Sequence, residues 1–137
     1  MGKLKADRLK KRADFLRAQR GVRRSAAGLT LEICPTPVLL AEAGHFRLGF
    51  TASRKVGGAA ERNRAKRRLR AIAAQILPLQ AQERTDYVLV ARVATLTRSF
   101  PDLLKDLAQT LAAAHVKLAQ VSIHADAGAG DRNNAPS

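Results

Sequence analysis

Arg62-Asn63-Arg64-Ala65-Lys66-Arg67-Arg68-Leu69-Arg70 places six basic residues in nine, yet it does not read as a solvated tail. Ala65 and Leu69 open an apolar series that continues through Ile72, Ala73, Ile76 and Leu77. That spacing of three and four marks one buried helix face. At ~100° per residue, Arg64, Lys66, Arg67, Arg68 and Arg70 fan over the opposite side, with Arg62 near the helix start. The stretch therefore predicts a packed helix carrying a cationic ridge, beginning at Ala59 or Ala60 and stopped by Pro78. Only Glu61 stands where it could pair with these cations at helical spacing. Uncompensated like charges repel, so the ridge predicts a polyanion contact rather than an ordinary solvated face.

Outward on the N-terminal side, residues 46–53 alternate strictly. Phe46, Leu48, Phe50 and Ala52 share one face, and Arg47, Gly49, Thr51 and Ser53 the other, which predicts a strand. Gly49 leaves the second face open to close approach. Ser53-Arg54-Lys55-Val56-Gly57-Gly58 joins strand to helix. Its amides could bind phosphate, or its glycines could simply make the turn. Thr51 and Ser53 are either solvated or part of a site. On the C-terminal side, Asp86-Tyr87-Val88-Leu89-Val90-Ala91-Arg92 is a near-continuous apolar run. It predicts a buried central strand, closing a βαβ unit around the basic helix, with Asp86 read as a strand-start residue.

Further out, Leu29-Thr30-Leu31-Glu32-Ile33 predicts a strand with one buried face, ended by Pro35 and Pro37. The run 38–41 continues that edge or forms a short strand of its own. Leu9, Ala13 and Leu16, flanked by Phe15 and Ala18, predict a helix over about residues 11–20, with Gly21 as its C′ stop. Residues 22–28 read as a connection. Ser99 caps a last helix that has Pro101 and Asp102 in its first turn and Leu103, Leu107, Leu111, Ala114 and Leu118 on its inner face. The organisation expected is a basic mobile segment at 1–10, one domain at 11–124 and a disordered tail at 125–137. The fold class is α+β with a small mixed sheet.

Composition narrows the partner. Of 137 residues, 46% are apolar but only 4% aromatic and none is Trp, so the core must be aliphatic. Residues 1–70 hold 19 Lys/Arg against 5 Asp/Glu, whereas 71–137 hold 6 of each, so the whole excess of +14 sits in the first half. Such a field suits nucleic acid. A membrane is disfavoured, because no apolar run approaches ~18 residues. One cysteine, Cys34, allows no internal disulfide. The basic start lacks an apolar signal core, so a cytoplasmic protein is expected. His45, His115 and His124 are widely spaced, and no metal site is predicted. No nucleophile motif or carboxylate cluster stands out, so no catalytic residue is predicted in the protein.

Ser53-x-Lys55-x-Gly57, Ala59-x-x-Arg62-Asn63-Arg64-x-Lys66-Arg67-x-x-Arg70 and Asp86-x-x-x-x-Ala91-Arg92 follow one another in order, after Leu9-Lys10-Lys11 and Asp14-Phe15. Over residues 9–118 this resembles the bacterial ribonuclease P protein subunit. The resemblance implies an αβββαβα fold whose crossover through the basic helix is left-handed. It implies removal of the 5′ leader of precursor tRNA, catalysed by a large RNA with Mg²⁺ held mainly by that RNA. Arg62, Asn63, Arg64, Lys66, Arg67 and Arg70 would face the catalytic RNA. Phe15, Gln19, Thr51, Arg54 and Lys55 would wall a cleft for the leader of precursor tRNA, with no further protein partner required. From the residues alone, Asn63 is equally a first-turn helix residue, and Phe15 equally core or stacking surface. Gln19 stands where the family often has a second aromatic, and Glu32 where it can have Tyr, so leader binding here leans more on charge. The alternatives are a ribosomal or chaperone-like RNA-binding protein, and a DNA-binding protein that reads a major groove with the basic helix.

Overall fold

A computed structural model describes the backbone of residues 3–134 and the side chains of residues 3–121. After a short strand β1 (Lys5–Arg8), the order is α1 (Arg12–Gln19), β2 (Val22–Ser25), β3 (Leu29–Pro35), β4 (His45–Thr51), α2 (Ala59–Gln80), β5 (Thr85–Ala91) and α3 (Phe100–Asn134). From α1 onward this is αβββαβα, the α+β class expected. The sheet order is β1-β4-β5-β3-β2, so β5 is its central strand, as its apolar run predicts. β4 and β5 pair in parallel across α2, whereas β3 pairs antiparallel with both β5 and β2.

The main core lies between the sheet and the two long helices. Ala65, Leu69, Ile72, Ala73, Ile76 and Leu77 of α2 meet Leu103, Leu107, Leu111, Ala114 and Leu118 of α3 over Leu31, Ile33, Phe46, Tyr87 and Leu89. A smaller cluster of Leu9, Ala18, Cys34 and Val88 lies under α1 on the other face. β3 was expected to bury one face but buries both, with α1 against one side and α3 against the other. Alternation reports which residues are apolar. It does not say that Thr30 and Glu32 will also be covered.

Four further expectations are corrected. The segment expected to be mobile at 1–10 contains β1, paired in parallel with β4. The Leu4 N–H donates to the Pro78 carbonyl at 2.9 Å, so the chain start also satisfies an orphan carbonyl at the end of α2. An open β4 edge would otherwise leave its backbone groups unpaired. The connection at 22–28 contains β2, while Val38–Leu40 forms a 3-10 turn exposed to solvent rather than a strand. Pro78 does not stop α2, which runs to Gln80. Proline cannot donate to the carbonyl four residues back, but it lies in the last turn, where that loss is small. α3 runs on to Asn134, into the segment 125–137 expected as a tail; residues 122–134 are described by their backbone alone, and residues 135–137 lie outside those described.

Candidate nucleic-acid interface

The entry to α2 is built by its own turn chemistry. The Lys55 N–H donates to Ser53 Oγ at 3.3 Å, and Arg54–Val56 form one 3-10 turn. Gly57 has φ of 146°, and a Cβ there would lie 2.7 Å from Glu61 Cβ, so glycine is required. Its N–H donates to the Arg54 carbonyl, and the Gly58 N–H donates to Glu61 Oε1 at 2.8 Å. Both amides are therefore occupied, and of the two readings of Gly57-Gly58 the turn is the one observed. Glu61, the one acid placed to pair with the ridge, is engaged as a helix cap. Among the described residues no ion pair includes a cation of residues 62–70.

The ridge has two flanks rather than one surface. Asn63, Arg64, Arg67 and Arg70 are exposed, while Lys66 and Arg68 are half-buried. Arg62 folds back, its Nη1 donating to the Gly57 carbonyl at 3.1 Å. Lys66 and Arg70, one helical turn apart, border a cavity of about 410 Å³ that also touches Arg8, Phe15 and Gly49. The Arg70 guanidinium sits 5.4 Å from the Phe50 ring centroid, a cation–π contact. Arg64, Arg67 and Arg68 turn the other way, toward the start of α3. From the sequence, ridge and cleft are expected as two separate surfaces. Helical geometry joins Lys66 and Arg70 to the cavity beside Phe15.

Phe15 rests on the sheet where β4 has no side chain. A Cβ on Gly49 would lie 2.5 Å from Phe15 Cε1, so the open face of Gly49 admits this ring. Half-buried, Phe15 also borders a second cavity, of about 310 Å³, with Arg12, Gln19, Glu32, Thr51 and Val90. Phe15, Gln19 and Thr51 thus border one cavity. Arg54 and Lys55 are not in that wall. Arg54 is exposed on its turn, and Lys55 borders a further cavity of about 930 Å³ with Arg23, Thr30, Ser53 and Arg92. Arg23 and Val90 border both of these cavities. Arg23 was not predicted, because a four-residue strand reading Val-Arg-Arg-Ser carries too little alternation to betray itself. Its Nε lies 3.5 Å from Glu32 Oε2. Burial pushes the Glu32 carboxyl above its ordinary value, against the weaker pull of Arg23.

α1 is held over the sheet by a buried ionic network. Arg47 donates from Nε to Asp86 Oδ1 at 2.8 Å and from Nη2 to Asp86 Oδ2 at 2.6 Å, and Nη2 also reaches Asp14 Oδ1 at 3.1 Å. Thr36 Oγ1 donates to the same Asp86 carboxylate at 2.7 Å. Asp86 is fully buried and is far more than a strand-start residue. The inner face of α1 is consequently Asp14 and Ala18, with Ala13 exposed and Leu16 half-buried, the reverse of the apolar face expected. Burial raises the Asp14 carboxyl, but hydrogen bonds from Arg17 and Arg47 outweigh it and hold the group below its ordinary range. Gly21 stands at the helix end as expected, but its reason is proximity: a Cβ would lie 2.1 Å from the Ile33 carbonyl oxygen.

The histidines also differ from expectation. Asp7, Glu42 and His45 converge, with ligand-type atoms within 4.8 Å of one another, where the sequence suggested no such grouping. His45 Nδ1 is 2.7 Å from Asp7 Oδ2 and 3.5 Å from Glu42 Oε2. These contacts tie β1 to β4, and parallel pairing of His45 with Lys5 is what brings residues 7 and 45 together. Cys34 is buried and its thiol is pushed up to about 11 by burial, which leaves it unreactive.

Comparison with known proteins agrees with this architecture. The family model described as Ribonuclease P matches residues 4–115. The ribonuclease P protein component of Paramagnetospirillum magneticum is 48% identical over 106 residues, covering 77% of this chain and 80% of that protein. That of Caulobacter vibrioides is 42% identical over 129 residues, covering 90% and 74% respectively. The solved Staphylococcus aureus RNase P protein superposes with a TM-score of 0.62 at 27% identity, covering 78% of this chain and 94% of that one. The RNase P protein of Thermotoga maritima, at 24% identity and a TM-score of 0.62, shares the fold.

Proposed function

The chain belongs to the ribonuclease P protein family, the protein subunit of a tRNA-processing ribonuclease that associates with ribonuclease P RNA, and from that premise we propose how its surfaces divide the work. Arg64, Arg67 and Asn63 bind the catalytic RNA. Phe15, Gln19 and Thr51 line the path of the 5′ leader of precursor tRNA, which Arg23 and Lys55 extend with charge. Lys66 and Arg70 serve both, because they border the cavity that touches Phe15. Arg62 acts chiefly through the Gly57 turn. Arg54 contributes charge from outside the cleft. Family membership leaves the ribosomal-type and DNA-binding readings without support. A cytoplasmic site of action goes with the reading, and among the described residues no helix is long and apolar enough to cross a membrane.

The observation that carries the proposal is the uncompensated cationic flank of α2 beside a cleft floored by the sheet. Its donors suit phosphate. They do not suit Mg²⁺, which takes oxygen ligands: the cleft carboxylate, Glu32, pairs with Arg23, and the ridge offers no free acid. In this reading Mg²⁺, and bond cleavage with it, belong to the RNA partner, as the family resemblance implies. The protein's contribution is to raise local affinity and to orient the leader.

Reconstitution tests this. With ribonuclease P RNA and a leader-bearing precursor tRNA at low Mg²⁺, the protein should increase cleavage over RNA alone. Arg64→Ala with Arg67→Ala should weaken assembly with the RNA and lower the salt slope by ~0.7–0.9 for each phosphate that is no longer neutralised. Phe15→Ala should instead reduce the advantage of leader-bearing over leaderless substrate. A protein that gives no gain in cleavage refutes the proposal. Equal loss of both properties in both variants refutes the division of surfaces.

A further inference from the structure

The flank of α2 that faces away from the leader cleft borders a cavity of about 480 Å³ against the start of α3. We propose that this cavity receives one unstacked nucleotide of the RNA partner, its base against Phe100 and its phosphate on Arg64 and Arg67. The inference rests on the RNA-binding reading above and names a subsite within it.

The lining has two parts. Arg64 and Arg67 form an exposed cationic rim with no acidic partner. Phe100 and Ala71 form an apolar part, and Phe100 is half-buried with one side packed on the core. Arg98 also borders the cavity, but Asp106 engages it through Nε and Nη2 and cancels its charge. Arg68 completes the wall. Its Nη2 donates to the Arg98 carbonyl, and its Nε is the one buried side-chain polar atom among the described residues that lacks a partner. A buried unpaired N–H costs desolvation without return, and an acceptor on a base edge, met by a small rotation of the guanidinium, would relieve it.

A plain anion site would look different. The first turn of α3 has few amides to offer, because Pro101 has no N–H, the Asp102 N–H donates to Ser99 Oγ at 3.2 Å and the Leu103 N–H donates to the Ser99 carbonyl at 2.9 Å. Phosphate alone would also have no use for an aromatic surface. An aromatic face beside unpaired arginines is the arrangement that holds splayed-out bases of single-stranded RNA.

The test uses full-length protein and ribonuclease P RNA at matched salt. Phe100→Leu keeps apolar volume but removes the π-face, and should weaken RNA binding about fivefold or more with the salt slope unchanged. Arg68→Lys, which keeps the charge but loses the Nε–H, should weaken binding as well. Because the chain contains no Trp, Phe100→Trp adds a single reporter whose emission should be quenched as RNA saturates the protein. If Phe100→Leu binds like the unaltered protein while Arg64→Ala with Arg67→Ala binds more weakly, the nucleotide pocket is refuted and the RNA-binding surface stands. If the arginine variant also binds normally, the underlying reading fails as well. Should Phe100→Leu not fold, the Trp reporter decides: unchanged emission at saturating RNA overturns the proposal.

Discussion

Replacing Arg47 with Met tests what holds α1 in place. The side chain is 14% exposed and its bidentate partner, Asp86, is fully buried, so the exchange strands a carboxylate that retains only Thr36 as a side-chain donor. Removing one member of a buried ion pair costs ~3–5 kcal/mol. The surviving Thr36 hydrogen bond favours the lower end, about 3 kcal/mol. For a domain of this size that lowers the Tm by roughly 10 °C. The loss is electrostatic rather than steric, because Met fills much of the arginine stem volume. Arg47→Met combined with Asp86→Leu should therefore recover most of it, since the stranded charge is gone. Asp14→Asn removes only the outer contact and should leave the melt close to normal. It should still loosen α1 and reduce discrimination for leader-bearing substrate. Thermal melts of the four proteins, with cleavage of matched leader-bearing and leaderless substrates, measure all of this. The reasoning is refuted if Arg47→Met melts within 2 °C of the unaltered protein, or if the double variant melts no higher than the single one.

Two other outcomes are expected. Gly49→Ala sets a methyl group 2.5 Å from Phe15 Cε1. Displacing the ring should cost ~1–3 kcal/mol and diminish leader-dependent binding; unchanged binding and melting would show that Phe15 does not depend on this gap. His115 is half-buried, and its Nε2 lies within hydrogen-bond distance, 2.7 Å, of the Tyr87 hydroxyl, which accepts the Gln82 N–H. Burial depresses the His115 pKa below the ordinary value of 6.5. The folded state therefore holds fewer protons than the unfolded state between the two values. Stability from this group is complete above about pH 6.5 and falls as the pH drops through that window, by at most ~1.4 kcal/mol per pH unit. Urea titrations from pH 7.5 to 5.5 should show a steeper decline for the unaltered protein than for His115→Gln, and parallel declines would contradict the assignment.

How much of the interface was legible depended on what kind of interaction placed each residue. The sides of α2 follow from spacing alone, because a helix repeats every 3.6 residues whatever surrounds it. The inner faces of α3 and the central position of β5 were legible for the same reason, as apolar runs have to be covered. α1 was misread because its inner face is held by charge: Asp14 lies inward only because Arg47, 33 positions along the chain, meets it there. β1 and β2 were missed because four-residue strands show almost no pattern, and their pairing with β4 and β3 stabilises them from outside.

The sequence by itself determined that a strand, a glycine turn and a basic helix follow one another, that the helix buries one side, and that its cations lack local acidic partners. Those properties depend on neighbours within a few residues. Only the tertiary structure decided that the cations divide between two cavities, and that Phe15 fills the gap at Gly49. It also brought Arg23 from an edge strand to the cavity that Phe15 and Thr51 border, and left Arg68 with an unpartnered N–H beside Phe100. These depend on where distant segments meet, and packing of the sheet against three helices sets that.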